Sequence, residues 1–272
     1  MSFADHDPDA IALRLVEIAI EAGRLLRRME GATAEAGTKP DGTPTTAADL
    51  AAEELIIARL GEHWPGVPVV AEETANQASP GEHFFLVDPL DGTGDFVHGT
   101  GEYTVNIALI AGARPIAGVV AAPALGRLWA AGHEAKTASL GGSDIAWRTA
   151  RVRPAPTTGL IALVSRRHGD HATEACLATL SIGTRRTASS ALKFCLIACG
   201  EADIYVRCGP TMEWDTAAGD HILSRAGGAV IGPGGQRLTY GREEAGYKNG
   251  PFAAIGDPAL APRLSLPLAA TA

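Results

Sequence analysis

Apolar residues return every three or four positions after Asp7-Pro8: Ile11, Leu15, Ile18, Ala22, Leu25 and Met29. That period predicts an amphipathic helix. Asp7 supplies a capping acid and Pro8 suits the first helical position. Arg24, Arg27 and Arg28 load the C-terminal end, and Gly31 stops it. The polar, Gly- and Pro-rich GTKPDGTPTT at 37–46 predicts a loop. A second helix is expected over 47–60, with Ala48, Ala52, Leu55, Ile56 and Leu60 on its apolar face. VPVVAEE reads as a short strand ending in Glu72-Glu73, and FFLVDPLDG as a buried strand ending in Asp88 and Asp91.

The rhythm then changes. YTVNIALI, IAGVVAAP and RLWAAG are β-rich runs separated by turns at 111–115 and 124–126, which predicts an antiparallel meander. A further strand is expected over 159–165, and helices over 173–180, 191–200 and 216–226. This mixed order predicts an α+β layered architecture rather than strict β-α-β alternation. RVRPAPTTG at 151–159 is the best linker candidate. It divides the chain into an N-terminal α+β part, 1–150, and a C-terminal α/β part, 151–272.

The 272 residues allow one large domain or two closely packed ones. Net charge is −8, with no Lys/Arg run beyond short pairs, so a nucleic-acid partner is not expected. An anionic substrate would therefore need metal ions or a local basic pocket. Cys176, Cys195, Cys199 and Cys208 form no C-x-x-C pair and have no His at zinc-ligand spacing, so they read as reduced thiols. Residues 1–9 lack the basic and apolar regions of a signal peptide. No apolar run approaches the roughly 18 residues that a membrane span requires. A cytoplasmic protein without a membrane partner is expected, and a homodimer is left open.

LVDPLDGTGDF at 86–96 carries the candidate chemistry. One reading is a strand ending in an ordinary acidic turn. The other is a carboxylate cluster for a hard divalent cation, with Asp88 and Asp91 as ligands and the Leu90 carbonyl beside them. Pro89 helps fix the turn, Gly92 lets a backbone N–H approach an anion, and Thr93 opens a helix that could hold phosphate. The D-x-x-D spacing disfavours haloacid-dehalogenase-type chemistry, which needs D-x-D. Asp215 precedes an apolar helical pattern and reads either as an N-cap or as a further metal ligand.

Four motifs in order, DGTPTTAAD, AEE, DPLDGTGDF and EWDTAAG, resemble the inositol-monophosphatase-like, lithium-sensitive phosphatases. GEYTVNIALI at 101–110, SSALKFCLIACGEADIYVRCGPTMEWDTAAG at 189–219 and YGREEAGYKNGPFAAIG at 240–256 resemble the CysQ-type 3′(2′),5′-bisphosphate nucleotidases within that superfamily. The resemblance implies a layered αβαβα sandwich of the inositol monophosphatase and fructose-1,6-bisphosphatase type. It implies Mg²⁺, two or three ions per site, and removal of the 3′-phosphate of adenosine 3′,5′-bisphosphate (PAP) or of the sulfate donor PAPS. By the same resemblance Glu72 binds the first metal, Asp88 bridges two, the Leu90 carbonyl joins the first, and Asp91 and Asp215 hold the second. Asp49 orients and deprotonates Thr93, which with Glu72 aligns water. The Gly92 and Thr93 N–H groups cradle phosphate, and Ser190, Lys193 and Arg207 face the nucleotide.

Several positions depart from that pattern. Gly94-Asp95 stands in place of Lys-Glu, Ser189 in place of Gly, Val206 in place of Pro, and Thr45 in place of an apolar residue. Lys193 and Arg207 can also be read as solvated charges, Trp214 as a core aromatic, and His98, His168 and His221 as surface or packing residues. The loop at 39–44 reads as a plain surface loop or as a flap whose Lys39 and Asp41 reach a third metal. Inositol monophosphate, fructose 1,6-bisphosphate and histidinol phosphate are the alternative substrates. An inactive metal- or nucleotide-binding regulator is the alternative from another class.

Overall fold

A computed structural model of the protein describes residues 7–31, 37–38, 44–75, 79–141, 145–166 and 169–268. His168 and most of the 39–44 loop lie outside these residues. Helix α1 spans Pro8–Met29, with the Asp7 carboxylate accepting from the Asp9 N–H as its cap. The two-residue strands β1 (Gly37–Thr38) and β2 (Pro44–Thr45) pair antiparallel. Both ends of the expected loop are therefore short paired strands. Helix α2 runs Ala47–His63.

Strands β3 (Val69–Ala71), β4 (His83–Asp91), β5 (Thr104–Ala111), β6 (Arg114–Ala122), β7 (Arg127–Ala131), β8 (Ala135–Ser139) and β9 (Arg148–Thr149) form one sheet in chain order. Between β4 and β5 lies the short helix α3 (Thr93–Val97). Only the β3–β4 pair is parallel, so the expected meander is present. The second half adds β10 (Leu160–Val164), α4 (His171–Ala178), β11 (Ile182–Thr187), α5 (Leu192–Ala198) and β12 (Ile204–Arg207). It continues with β13 (Thr211–Met212), α6 (Glu213–Arg225), β14 (Ala229–Ile231), β15 (Lys248–Asn249) and β16 (Phe252–Ile255). The second sheet has the order β11-β10-β12-β16-β14. The β13–β15 pair stands apart as a short ribbon.

The unbroken apolar run of β4 has a simple cause: its sheet is covered on both faces. Phe85 and Val87 point into a core shared with α1 and α2. Phe84 and Leu86 point the other way, into a core shared with α5, α6 and the inner face of the second sheet. A third core, with Cys176 and Leu177 of α4 against Ala162, Ile204 and Ile255, closes the outer face of that sheet. The order helices, sheet, helices, sheet, helix is the expected αβαβα sandwich.

Local expectations differ in detail. Ile11, Leu15, Ile18 and Ala22 of α1 are buried as expected, whereas Leu25 is only half-buried and its neighbour Leu26 is fully buried. Strand β4 ends in its acids, as expected. It continues to Asp91 across a register shift between Asp88 and Asp91, and Pro89 sits in that bulge because it has no N–H for the ladder. Helix α6 begins at Glu213, so Asp215 lies inside its first turn and not at the N-cap.

Candidate active site

Three elements bring their acids together where β3 and β4 end and α6 begins. The Glu72 N–H donates to the Val87 carbonyl (3.1 Å), which continues the β3–β4 ladder by one step and sets Glu72 beside Asp88. Glu53, buried on α2, fixes the same turn by accepting from the Glu73 N–H (2.8 Å) and the Thr74 hydroxyl (2.7 Å). Asp88 is buried, and one of its oxygens accepts from the Leu90 N–H (3.0 Å). Asp91 uses one oxygen to accept from the Ala191 N–H (2.7 Å) and the Asn106 side chain (3.2 Å). Asp215 reaches back to the Met212 N–H (2.8 Å), as a third helical residue does in a capping box. In place of the N-cap role, one Asp215 oxygen bonds the N-cap residue's N–H, and the carboxyl also contacts Asp88.

This crowding perturbs all three aspartates. Burial, then the charges of Glu72, Asp91 and Asp215, hold the Asp88 carboxyl well above the usual carboxylate range. Burial also raises Asp91, against the opposing pull of the Lys193 ammonium. Asp215 is pushed up to about 8 by burial and then by Asp91 and Glu72. Such repulsion is relieved by a cation, and the donor set is entirely hard oxygen. Among the described residues no group of three or more His, Cys, Asp or Glu side chains is already spaced to hold a metal ion. The fit to Mg²⁺ therefore rests on charge and donor chemistry: Glu72, Asp88, Asp91, Asp215 and the Leu90 carbonyl would hold it. The buried Asn106 Oδ1, without a hydrogen-bond partner, adds one more hard oxygen next to this group.

The other half of the site is the turn after β4. Gly92 has φ 96°, and a Cβ there would lie 2.4 Å from the Ser190 Oγ, so only glycine fits. Thr93 opens α3, and its hydroxyl is 2.8 Å from Asp49 Oδ1 and 3.2 Å from the Leu90 carbonyl. Asp49 is buried, and its other oxygen accepts from the Thr46 N–H (2.7 Å) and hydroxyl (2.6 Å). One capping box therefore both starts α2 and locks the Asp49–Thr93 pair.

The remaining predicted residues fall into two groups. Ser190 belongs to the site, since its hydroxyl donates to the Asp91 carbonyl (2.8 Å). Lys193 is not a solvated charge. It is buried, donates to the Ser190 carbonyl (2.8 Å), lies 4.8 Å from the Tyr205 ring centre, and has its pKa lowered by burial to about 8. Arg207 is part-exposed at the end of β12 and donates to the Gly209 (3.3 Å) and Pro210 (3.0 Å) carbonyls. Trp214 packs near Tyr247, 6.0 Å between ring centres, as a core aromatic. His221 is a packing residue bonded to the Gly132 carbonyl, and His98 is exposed. Cys195 is buried on α5, Cys199 is part-buried at its C-cap, and all four cysteines are free.

Comparison with known proteins follows the same lines. The inositol monophosphatase family profile matches residues 7–262. The chain belongs to the inositol monophosphatase family. The 3′(2′),5′-bisphosphate nucleotidase CysQ of Escherichia coli K12 is 38% identical over 219 residues, covering 77% of this chain and 87% of that protein. A crystal structure of CysQ from Bacteroides thetaiotaomicron superposes with a TM-score of 0.76 at 32% identity, over 91% of this chain and 97% of that one. Mycobacterium tuberculosis SuhB gives 0.73 at 25% identity, with 95% of each chain covered. As a member of this family the protein has the αβαβα fold read from its motifs. Glu53, Asn106, Glu102 and Arg166 were not singled out from the sequence. Asn106 is the lone polar residue within the apolar run VNIALI, which was the available signal; Glu53, Glu102 and Arg166 carried none.

Proposed function

We propose that the protein is a Mg²⁺-dependent phosphatase that removes the 3′-phosphate of PAP, and of PAPS, in sulfur metabolism. The observation that carries this reading is the convergence of Glu72, Asp88, Asp91 and Asp215 beside the Asp49–Thr93 pair. Similarity to nucleotidases of the CysQ type supports the choice of substrate.

When bound, divalent metal supplies Lewis-acid stabilisation of charge on the phosphoryl and leaving oxygens and acidifies water. The chain supplies the geometry. Asp49 accepts the Thr93 hydroxyl proton, which leaves the Thr93 oxygen lone pairs to orient a water toward phosphorus. Gly92 and Thr93 N–H groups donate to phosphate oxygens at the left-handed turn. Glu72, held by Glu53 through the following turn, faces the same water. Ser190, Lys193 and Arg207 border the nucleotide side, with Lys193 acting from below through the Ser190 turn.

Phosphate release from PAP, PAPS, inositol 1-phosphate, fructose 1,6-bisphosphate and histidinol phosphate, with and without Mg²⁺, tests the proposal. PAP is expected to be the fastest substrate and to require the metal. Turnover of PAP no faster than of inositol phosphate would sink the substrate assignment. Li⁺ is expected to inhibit by competing at the second metal position.

A further inference from the structure

Asp91 lies on β4 of the seven-stranded sheet, yet its backbone donor, the Ala191 N–H, comes from the turn that starts α5. What fixes that turn therefore aims Asp91. Ser190 has φ 58°, a left-handed conformation that non-glycine residues rarely hold without support. Its hydroxyl bonds the Asp91 carbonyl (2.8 Å) and the Glu102 carbonyl (3.3 Å). The Ser189 N–H donates to the Glu102 carboxylate at 3.1 Å. The same Glu102 oxygen accepts from Arg166 Nη2 at 3.0 Å. Arg166 follows β10 on the second sheet, and its Nε lies 3.8 Å from the Asp95 carboxylate, which also accepts from the Thr100 hydroxyl at 2.8 Å. One carboxylate thus joins the 100–102 loop, the Ser189–Ala191 turn and the end of β10.

We infer that Glu102 is a positioning residue for Asp91, acting through the Ser189–Ser190 turn with Arg166 as its clamp. This rests on the metal-dependent reading above. The segment GEYTVNIALI then contributes two distinct supports to one ligand: Asn106 bonds the Asp91 carboxylate directly, and Glu102 secures the turn whose N–H bonds it from the other side. Without the Glu102 side chain, the Ser189 N–H loses its acceptor and Arg166 keeps only the longer contact with Asp95. Lys193 still holds the Ser190 carbonyl, so the turn loosens without collapsing. Asp91 then loses definition on the side that carries Ala191.

The test is calorimetric titration of Mg²⁺ into substrate-free protein, alongside the Mg²⁺ dependence of kcat and the thermal midpoint. Glu102→Ala should bind Mg²⁺ about tenfold more weakly, which corresponds to about 1.4 kcal/mol. Glu102→Gln retains an acceptor for the Ser189 N–H and should recover most of that loss. Arg166→Ala should weaken binding about threefold, the size of a part-exposed ion pair. It should add nothing in a Glu102→Ala background, because Arg166 acts through Glu102.

If wild-type protein takes up no Mg²⁺, the metal-dependent reading itself falls. If wild type binds and Glu102→Ala binds equally well with only a lower thermal midpoint, Glu102 is merely structural and the inference is overturned. Additive effects of the two substitutions would overturn the role given to Arg166. Should Glu102→Ala not fold, the surface variant Arg166→Ala decides, and an unchanged Mg²⁺ affinity in it counts against the inference.

Discussion

Gly219 offers a test in which two well-understood effects oppose each other. It lies on the buried face of α6, one turn beyond Asp215, with ordinary helical backbone. Helix propensity alone predicts that Gly219→Ala stabilises the protein by about 1 kcal/mol. The packing says otherwise. A Cβ at this position would lie 2.6 Å from both Cδ2 and Cγ of Phe194 and 2.8 Å from its Cβ. Carbon atoms pack at about 3.5–4.0 Å, so the ring must retreat by roughly 1 Å. It has nowhere to go: Phe252 stacks 5.8 Å from it and Tyr205 meets it edge-on at 5.7 Å. Overpacking of this kind costs about 1–3 kcal/mol, and three contacts under 3.0 Å place the site at the upper end. The net expectation is a loss of about 2 kcal/mol. For a protein of this size that lowers the thermal midpoint by roughly 4–8 °C. Because Phe194 follows Lys193 on α5, Mg²⁺ affinity should weaken as well. Scanning calorimetry on Gly219→Ala and on the Gly219→Ala, Phe194→Leu double variant reads both effects. The smaller Leu should restore part of the loss. A midpoint that rises in the single variant, or a double variant no better than the sum of its parts, would refute the packing argument.

Other expectations follow from single contacts. Thr93→Val keeps shape but removes the hydroxyl bonded to Asp49, and kcat should fall about 100-fold or more with the fold intact; an unchanged kcat would remove Thr93 from the chemistry. Glu53→Ala strips the acceptor from the Glu73 N–H and Thr74 hydroxyl, which should cost about 1.5–3 kcal/mol of stability and weaken Mg²⁺ binding, read by chemical denaturation and calorimetry. The pH dependence of the metal-free protein has a definite sign. Asp88, Asp91 and Asp215 have folded pKa values raised above their unfolded ones, so they disfavour folding as pH rises toward the value of about 8 at Asp215. Lys193, lowered to about 8, adds stability only as pH rises above that value, and His221, lowered to about 4, removes stability only as pH falls below about 6.5. Between pH 6.5 and 8 the carboxyl cluster sets the slope: chelator-treated protein should lose stability with rising pH, and excess Mg²⁺ should flatten the curve. Rising stability across that window in chelator would contradict the cluster.

Sequence alone determined the layers and the acids. Periodicity gave α1 and α2, the apolar run of FFLVDPLDG announced a buried strand, and the β-rich runs separated by turns after it announced the meander. These signals are legible because helix and strand periods are local and burial is repetitive. The D-x-x-D-G-T motif alone was compatible with an ordinary acidic turn, and it became legible because three further motifs coincide with it along the chain. The pairing of β1 with β2 and the bulge in β4 were not legible, because each is decided by a partner strand. Tertiary structure alone decided the fate of isolated charges. Lys193 and Glu53 look like surface residues on helices, yet each is buried against backbone groups brought from elsewhere in the chain or turned inward by a tight turn. Glu102 and Arg166 are 64 residues apart, and Asp91 and Ala191 are 100 apart. Sequence spacing carries no trace of such pairs. A charge becomes part of a site when two sheets and the helices between them close around it, and that closure is a property of the whole sandwich.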